Sequence, residues 1–451
     1  MTRKTSTALL LAACALAACT HSSSTGSAPA RGPRPNVLLV VTDDQTVNEM
    51  AVMAHARRWL SRGGVTFDHA FVTTPQCCPS RASILSGRFA HNTGVKDNFD
   101  AAKLNQATTV EHLLRSSGYE TAIFGKFLNS WDMRRDPPFF DRWAITSHSG
   151  RGYREGRWNV QGRMRTVHAY NTDFLFRKTR RFISSADTPW FAYLATAASH
   201  APFRAAPGHA RRAVPRWRPN PAVRERHRSD KPGFVRAQHL EMRRVKTVYK
   251  QQERTLLSVD GLMARLHRLL KDRGELDRTL VIYTSDNGLL LGEHGLSAKK
   301  AVPYTGSISV PLLMSWPGHL PRGEVRNDLV TNVDIAPTIV AAARLRPPRH
   351  PPMDGRSLLA PVHRQRVLTE FWSRAGRPFP EWASLRTRSF QYVEYYWRPG
   401  GRPEFREYYD LRRDPWENHN LLAGPRRHGP EVRALARRLA RLRRCEGASC
   451  P

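Results

Sequence analysis

Five short runs of this chain are apolar almost without interruption. They are Asn36–Thr42 (NVLLVVT), Thr121–Phe124, Trp190–Thr196 (WFAYLAT), Thr279–Thr284 (TLVIYT) and Val310–Trp316. A run of this length with no alternation suits a strand buried on both faces, in a sheet covered by helices. Helical periodicity falls between them, at residues 108–117, 171–185, 237–273 and 333–343. The alternation predicts an α/β fold, with a large, mostly parallel sheet flanked by helices. Residues 201–236, rich in Pro and Arg, read as an excursion loop. Beyond the proline-rich Pro347–Pro352, short strands are expected at 366–373, 384–397 and 404–411, and an Arg-rich helix at 430–444. The reading is a main domain over 35–346 and a smaller α+β domain over 353–445.

Composition narrows the function. The chain has 451 residues, with 72 Lys or Arg against 38 Asp or Glu, a net charge of +34. At 40% hydrophobic it holds enough apolar material for a core, which excludes global disorder. No internal apolar run approaches the roughly 18–20 residues of a membrane span. The charge suits a polyanionic partner. Yet only 11 of the 72 basic residues are Lys, so much of it is an Arg-rich background. No motif has groove-reading geometry, which argues against nucleic acid.

The N-terminus reads as an export signal over residues 1–18. Arg3 and Lys4 precede an apolar stretch from Ala8 to Ala18, then Cys19. Leu16-Ala17-Ala18-Cys19 resembles a bacterial lipobox, in which the Cys carries the lipid; Leu11 to Cys14 matches it too, with a shorter apolar segment before it. Residues 19–34 read as a flexible tether. Lipidation at Cys19 predicts a protein anchored to the outer face of a bacterial membrane, and a plain cleaved signal predicts a secreted one. Cys445 and Cys450 are close enough in sequence to pair in an oxidising compartment.

Chemistry gathers where the apolar runs end. Asp43-Asp44, Lys126, His200 and Asp286-Asn287 each follow a strand, at the sheet edge where open α/β folds build sites. Asp-Asn-Gly alone is a turn signal. Placed with Asp43-Asp44, it offers oxygen donors for a hard cation, Ca²⁺ or Mg²⁺.

The segment Cys77-Cys78-Pro79-Ser80-Arg81, continued by Ala82 to Arg88, matches the Cys-x-Pro-Ser-Arg signature of type I sulfatases. The resemblance runs from about residue 35 to 425. It takes in Lys126, His200, Asp286-Asn287-Gly288, Lys300 with Tyr304, and Tyr409-Asp410-Leu411 with Asp414-Pro415 and Asn420-Leu421. It implies an alkaline-phosphatase-like sulfatase fold and a sulfuric ester hydrolase. Cys77 then resembles the Cys that a formylglycine-generating enzyme converts to an aldehyde. The hydrate of that aldehyde supplies the nucleophile, and its second hydroxyl expels sulfate afterwards, which a thiol has no means to do. Asp43, Asp44, Asp286, Asn287 and the position-77 oxygen resemble the Ca²⁺ ligands. Arg81, Lys126, His200 and Lys300 resemble the groups around the sulfate, with His200 or Lys300 protonating the leaving alcohol.

Two departures stand out. Many relatives carry a His two residues after the Lys matching Lys126, and here that position is Leu128. The base for sulfate release is therefore open, His148 and Asn129 being the residues considered. Thr305 stands where the family usually has Glu. The run Gly125-Lys126-Phe127-Leu128-Asn129 is similar to N-acetylglucosamine-6-sulfatases and extracellular heparan 6-O-endosulfatases. Asn159, Gly162, Tyr170, Asp173 and Ser199-His200-Ala201-Pro202 extend that likeness, which implies a sulfated glucosamine-type glycan. Two alternatives stay open. One is a phosphodiesterase or phosphonate monoester hydrolase using the same formylglycine. The other is a non-catalytic polyanion-binding lipoprotein, if Cys77 remains a thiol.

Overall fold

The computed structural model describes residues 1–2, 33–146, 153–374, 379–398, 400–423 and 430–451. The export signal, Cys14, Cys19, most of the tether and His148 lie outside the described residues. Residues Arg34–Pro451 form one compact unit.

The predicted apolar runs are strands at the heart of the fold. Along the chain come β1 (Asn36–Thr42), β2 (Val65–Phe71), β3 (Glu120–Lys126), β4 (Arg142–Thr146), β5 (Gly156–Val160), β6 (Arg163–Val167), β7 (Trp190–Ala195) and β8 (Thr279–Ser285). A two-stranded ribbon follows, β9 (Leu290–Leu291) with β10 (Ser297–Lys299), and then β11 (Leu312–Ser315) and β12 (Glu324–Thr331). All but the ribbon form a ten-stranded sheet in the order β12-β2-β11-β8-β1-β7-β3-β4-β5-β6. The central five, β8 to β4, are mutually parallel. The whole is more mixed than expected, because β11 runs antiparallel to both β8 and β2, and the β4-β5-β6 meander is antiparallel as well. A short apolar run records burial on both faces but not direction, so β11 carried no sign of its reversal.

Strand β1 shows how the core is divided. Val37, Leu39 and Val41 point to one face, and Leu38 and Val40 to the other, as the two-residue period demands. The first face is covered by helices α1 (Cys77–Ser86), α2 (Val110–Ser116) and, later in the chain, Ile335–Ala342. The second is covered by α3 (Asn171–Ser185) and the long α4 (Met242–Asp272). The Ile335–Ala342 helix is α5.

Behind them a four-stranded antiparallel sheet, β13 (Val367–Phe371), β14 (Glu381–Arg386), β15 (Phe390–Tyr396) and β16 (Phe405–Asp410), packs under helix α6 (Pro430–Leu442). Residues 384–397, read as one strand, belong to the β14–β15 hairpin. The Thr387 hydroxyl accepts from the Ser389 and Phe390 N–H groups and turns the chain there. The flanking aromatic residues hide that polar turn in the sequence. Cys445 and Cys450 form a disulfide just beyond α6. No helix among the described residues is long and apolar enough to cross a membrane.

Candidate active site

The parallel strands deliver their C-terminal ends to one edge. Asp43 and Asp44 follow β1, Lys126 closes β3, Ser199 and His200 follow β7, and Asp286-Asn287 follow β8. Gly125 shows how tightly β3 and β7 meet there. A Cβ on Gly125 would lie 1.8 Å from the Ala195 carbonyl oxygen, so only glycine brings Lys126 this close.

Cys77 is the first residue of α1. Pro79 sits in the first turn, where a missing N–H costs nothing. The Cys78 N–H is capped by Asn98 Oδ1 at 2.9 Å. The helix stops at Gly87, whose φ of 68° needs glycine and whose absent side chain admits Pro337 at 3.0 Å. The whole of α1 is buried.

The nine site residues predicted from the sequence converge. The Cys77 sulfur is 3.6 Å from Asp43 Oδ1 and 3.1 Å from Lys300 Nζ. Lys126 Nζ donates to Asp43 Oδ2 at 2.7 Å and lies 3.8 Å from Asp286. Arg81 is completely buried. Its Nε and Nη2 both lie 2.8 Å from Asp286 Oδ2, and its Nη1 donates to the Lys126 carbonyl at 3.0 Å. Lys300 contacts Asp44 Oδ1, and lies 3.4 Å from Asn287 Oδ1. Asn287 Nδ2 donates to Asp44 Oδ1 at 2.6 Å. His200 is 29% exposed and places Nε2 3.7 Å from Asp44 Oδ2. Its Nδ1 is 2.7 Å from the Ala201 carbonyl, an acceptor only, so Nδ1 carries a proton and Nε2 faces the carboxylate.

Charge and burial set the protonation states. Burial pushes the Cys77 thiol up to about 12, so it is a neutral thiol at neutral pH. Burial would raise Asp43 as well, but Lys126, His200, Arg81 and Lys300 together hold it far below the usual carboxylate range. Lys126 and Lys300 resist the same burial, held in the ammonium form by Asp43 and Asp44 respectively. Burial and the neighbouring Asp43 raise Asp286. Three carboxylates thus compete for the protein's cations. Ligand atoms of Asp43, Asp44, Cys77 and His200 lie within 4.8 Å of one another. With Asp286 and Asn287 beside them, the donor set is oxygen-rich and fits a hard divalent cation, whose charge would offset that of the clustered carboxylates.

Several supporting residues carried no sequence signal of their own. Tyr193 lies inside an apolar run, yet its hydroxyl reaches Arg81 Nη1 at 3.3 Å. Tyr153 donates to the Ala197 and His200 carbonyls, at 3.0 and 2.8 Å, and holds the His200 loop. Gln252 reaches from α4 to the carbonyls of Asp44 and Ser199. Its trace was a Gln on the apolar face of that helix. Leu128, where relatives carry His, is fully buried in the core with Phe127. Thr305 takes a carboxylate from elsewhere, its N–H donating to Glu417 Oε2 at 2.9 Å.

Residues 35–345 match the sulfatase family. The chain belongs to that family. Residues 292–445 also match the C-terminal region of N-sulphoglucosamine sulphohydrolase. The chain is 31% identical over 376 residues to an extracellular sulfatase SULF-1 homolog of Drosophila melanogaster, covering 76% of this chain but only 33% of that protein. It is 29% identical over 481 residues to the N-acetylglucosamine-6-sulfatase of Homo sapiens, covering 92% of this chain and 86% of the relative. In fold it is similar to a structure solved in complex with its substrate D-glucosamine-2-N,6-O-disulfate. The TM-score is 0.79 at 23% identity, over 90% of this chain and 97% of the other.

Proposed function

We propose that this chain hydrolyses sulfate esters of glucosamine-type glycans, with Cys77 acting as formylglycine after conversion by a formylglycine-generating enzyme. The observation that carries the reading is the setting of Cys77. It sits at a helix start, between Lys300 and Asp43, inside a ring of Arg81, Lys126 and His200. The likeness to N-acetylglucosamine-6-sulfatase over nine-tenths of the chain supports the sugar class. In keeping with the extracellular relatives, we place the protein outside the cytoplasm, lipid-anchored through Cys19 or secreted.

Asp43, Asp44, Asp286 and Asn287 would hold a Ca²⁺ or Mg²⁺ ion, which when bound would supply positive charge beside the sulfate oxygens. The residues of the chain do the rest. Arg81 fixes Asp286 through a hydrogen bond from Nε and an ion-pair contact from Nη2, both at Oδ2, and keeps it turned toward the site. Lys126 neutralises Asp43 and holds the floor. Lys300 points its ammonium at position 77, where it can donate to an oxygen on that residue or on the sulfate. His200 stands half-exposed at the rim. With a proton on Nε2 it can act as the donor to the leaving sugar hydroxyl. The tight burial of α1 excludes water from below.

The test is production in a host that has the formylglycine-generating enzyme, followed by turnover of 6-O-sulfated N-acetylglucosamine and of matched aryl sulfate and phosphate esters. Release of sulfate from the sugar supports the reading. Faster turnover of the phosphate ester, or an unmodified Cys77 with no turnover, overturns it.

A further inference from the structure

A second cationic cleft lies outside the catalytic ring, and no role has been assigned to it. Helix α6 packs Val432, Leu435, Leu439 and Leu442 onto the four-stranded sheet. Beside that seam opens a cleft of about 760 Å³, bordered by Lys96, Trp372, Arg402, Arg437, Arg443 and Arg444. The volume is that of a site for a small oligosaccharide rather than for a single ion.

The acids in the cleft cancel only part of this charge. Glu394 is spent on its own sheet, accepting from the Tyr392 and Tyr396 hydroxyls at 2.6 Å each and from Arg406 at 3.2 Å. Glu381 is buried. Arg402, Arg437 and Arg444 are exposed and have no carboxylate partner among the described residues. Aromatic rings stiffen the walls. The Lys96 ammonium lies 5.1 Å from the centre of the Trp372 ring, and the Arg443 guanidinium 4.3 Å from that of Tyr396. Cations fixed in place by aromatic rings suit an anionic sugar, the cations meeting its sulfate groups and the half-buried Trp372 lying at the edge of the cleft. Scattered surface Arg would not converge on one concavity in this way.

The cleft is also tied to the nucleophile. Lys96 forms part of its wall. The next residue, Asp97, accepts from Gln76 at 3.5 Å, and Asn98 caps the Cys78 N–H at 2.9 Å. Two residues span about 7 Å, so the wall lies on the order of 15 Å from position 77. A chain of a few sugars reaches that far.

We propose that this cleft binds sulfated sugars of the same glycan chain, some units away from the sulfate presented to Cys77. The inference rests on the sulfated-glycan reading for its ligand, but its test does not depend on catalysis. A sulfated heparin-derived hexasaccharide is titrated calorimetrically into Cys77→Ala protein, with and without R402A/R437A/R444A. Loss of these cations should weaken binding about tenfold and flatten its salt dependence. K96E, elsewhere in the lining of the cleft, should act in the same direction and serves if the triple variant does not fold. In protein with native Cys77, the ratio of kcat/KM on the polymer to that on the monosaccharide should fall by a similar factor. Binding that is equal in all variants overturns the proposal. So does a loss seen equally with inorganic sulfate alone, or with phosphatidylglycerol vesicles in place of the hexasaccharide. Hexasaccharide binding that depends on these cations, together with no turnover by protein whose native Cys77 has been converted to formylglycine, sinks the hydrolase reading and leaves the cleft standing.

Discussion

The Lys300 ammonium lies 3.1 Å from the Cys77 sulfur and also contacts the Asp44 carboxylate. Position 77 is thus coupled directly to a cation and, through it, to the acidic cluster. The neighbouring Cys78 is turned away, its thiol donating to the Asn129 carbonyl at 3.5 Å on the far side of the helix start. The two adjacent thiols are therefore not equivalent. Cys77→Ala should lower turnover by roughly 10³-fold or more, as removal of a nucleophile does. Cys78→Ala should cost only about 1 kcal/mol of stability for a small cavity, with turnover retained. Peptide mass over residues 70–90 should show one Cys converted, a loss of about 18 Da as sulfur and two hydrogens give way to oxygen. A converted Cys78, found by fragmenting that peptide, would reverse the assignment.

Arg81 is a buried cation spent almost wholly on protein partners. Arg81→Lys keeps the charge but not the Nε hydrogen bond to Asp286 or the Nη1 hydrogen bond to the Lys126 carbonyl. It should lower kcat on the order of a hundredfold, with a smaller change in KM. Arg81→Ala leaves Asp286 short of its main cation and should cost about 3–5 kcal/mol of stability. Urea denaturation of both variants checks the order, and equal stability of wild type and alanine variant would refute it.

The acidic cluster should make the protein metal-dependent in stability as well as in rate. Dialysis against a chelator should lower Tm, and Ca²⁺ should restore it where K⁺ does not. Asp286→Ala should reduce bound calcium from about one per chain toward zero, measured by elemental analysis of the folded protein. Unchanged calcium would remove Asp286 from the ligand set.

The parts of this site legible in the sequence share one property. Asp43, Lys126, His200 and Asp286 each terminate an apolar run, so strand ends and chemistry coincide in the text of the chain. Cys77, Arg81 and Lys300 were legible only through resemblance to a family. Supporting residues such as Tyr193 and Tyr153 were not legible, because a Tyr inside or beside an apolar segment reads as core until its hydroxyl partner is known. The reversal of β11 and the turn at Thr387 escaped for a similar reason. Periodicity reports burial, whereas direction and register come from contacts distant in sequence. The cleft beside α6 was visible only as excess Arg, since composition carries no information about concavity.

Leu128 offers a test of how far a family motif can be transplanted. Its side chain is fully buried among core residues, two positions beyond Lys126. Leu128→His should therefore cost about 2–4 kcal/mol, by burying a polar ring without partners and losing apolar contact. It should not raise turnover. A stable variant with faster sulfate release would show instead that the position opens onto the site.

Glu111 gives the pH dependence a definite sign. It lies in α2 with no exposed surface and no cation beside it among the described residues, its carboxylate offered only weak contacts from its own backbone N–H and the Thr109 side chain. Burial pushes its carboxyl up to about 8. In the unfolded chain the group titrates near its usual value, about 4.3. Below that value it is protonated in both states and its contribution to stability is fully present. Between about 4.3 and 8 the folded protein binds the extra proton, and stability falls by about 1.4 kcal/mol per pH unit from this group. Above about 8 the group ionises in both states and the loss is complete. Glu111→Gln removes the titration while keeping the shape. Urea midpoints of the variant and the wild type should be close at pH 4 and separate steadily up to pH 8, the variant being the more stable. Parallel curves across that window would place the Glu111 carboxylate in contact with a cation or with water.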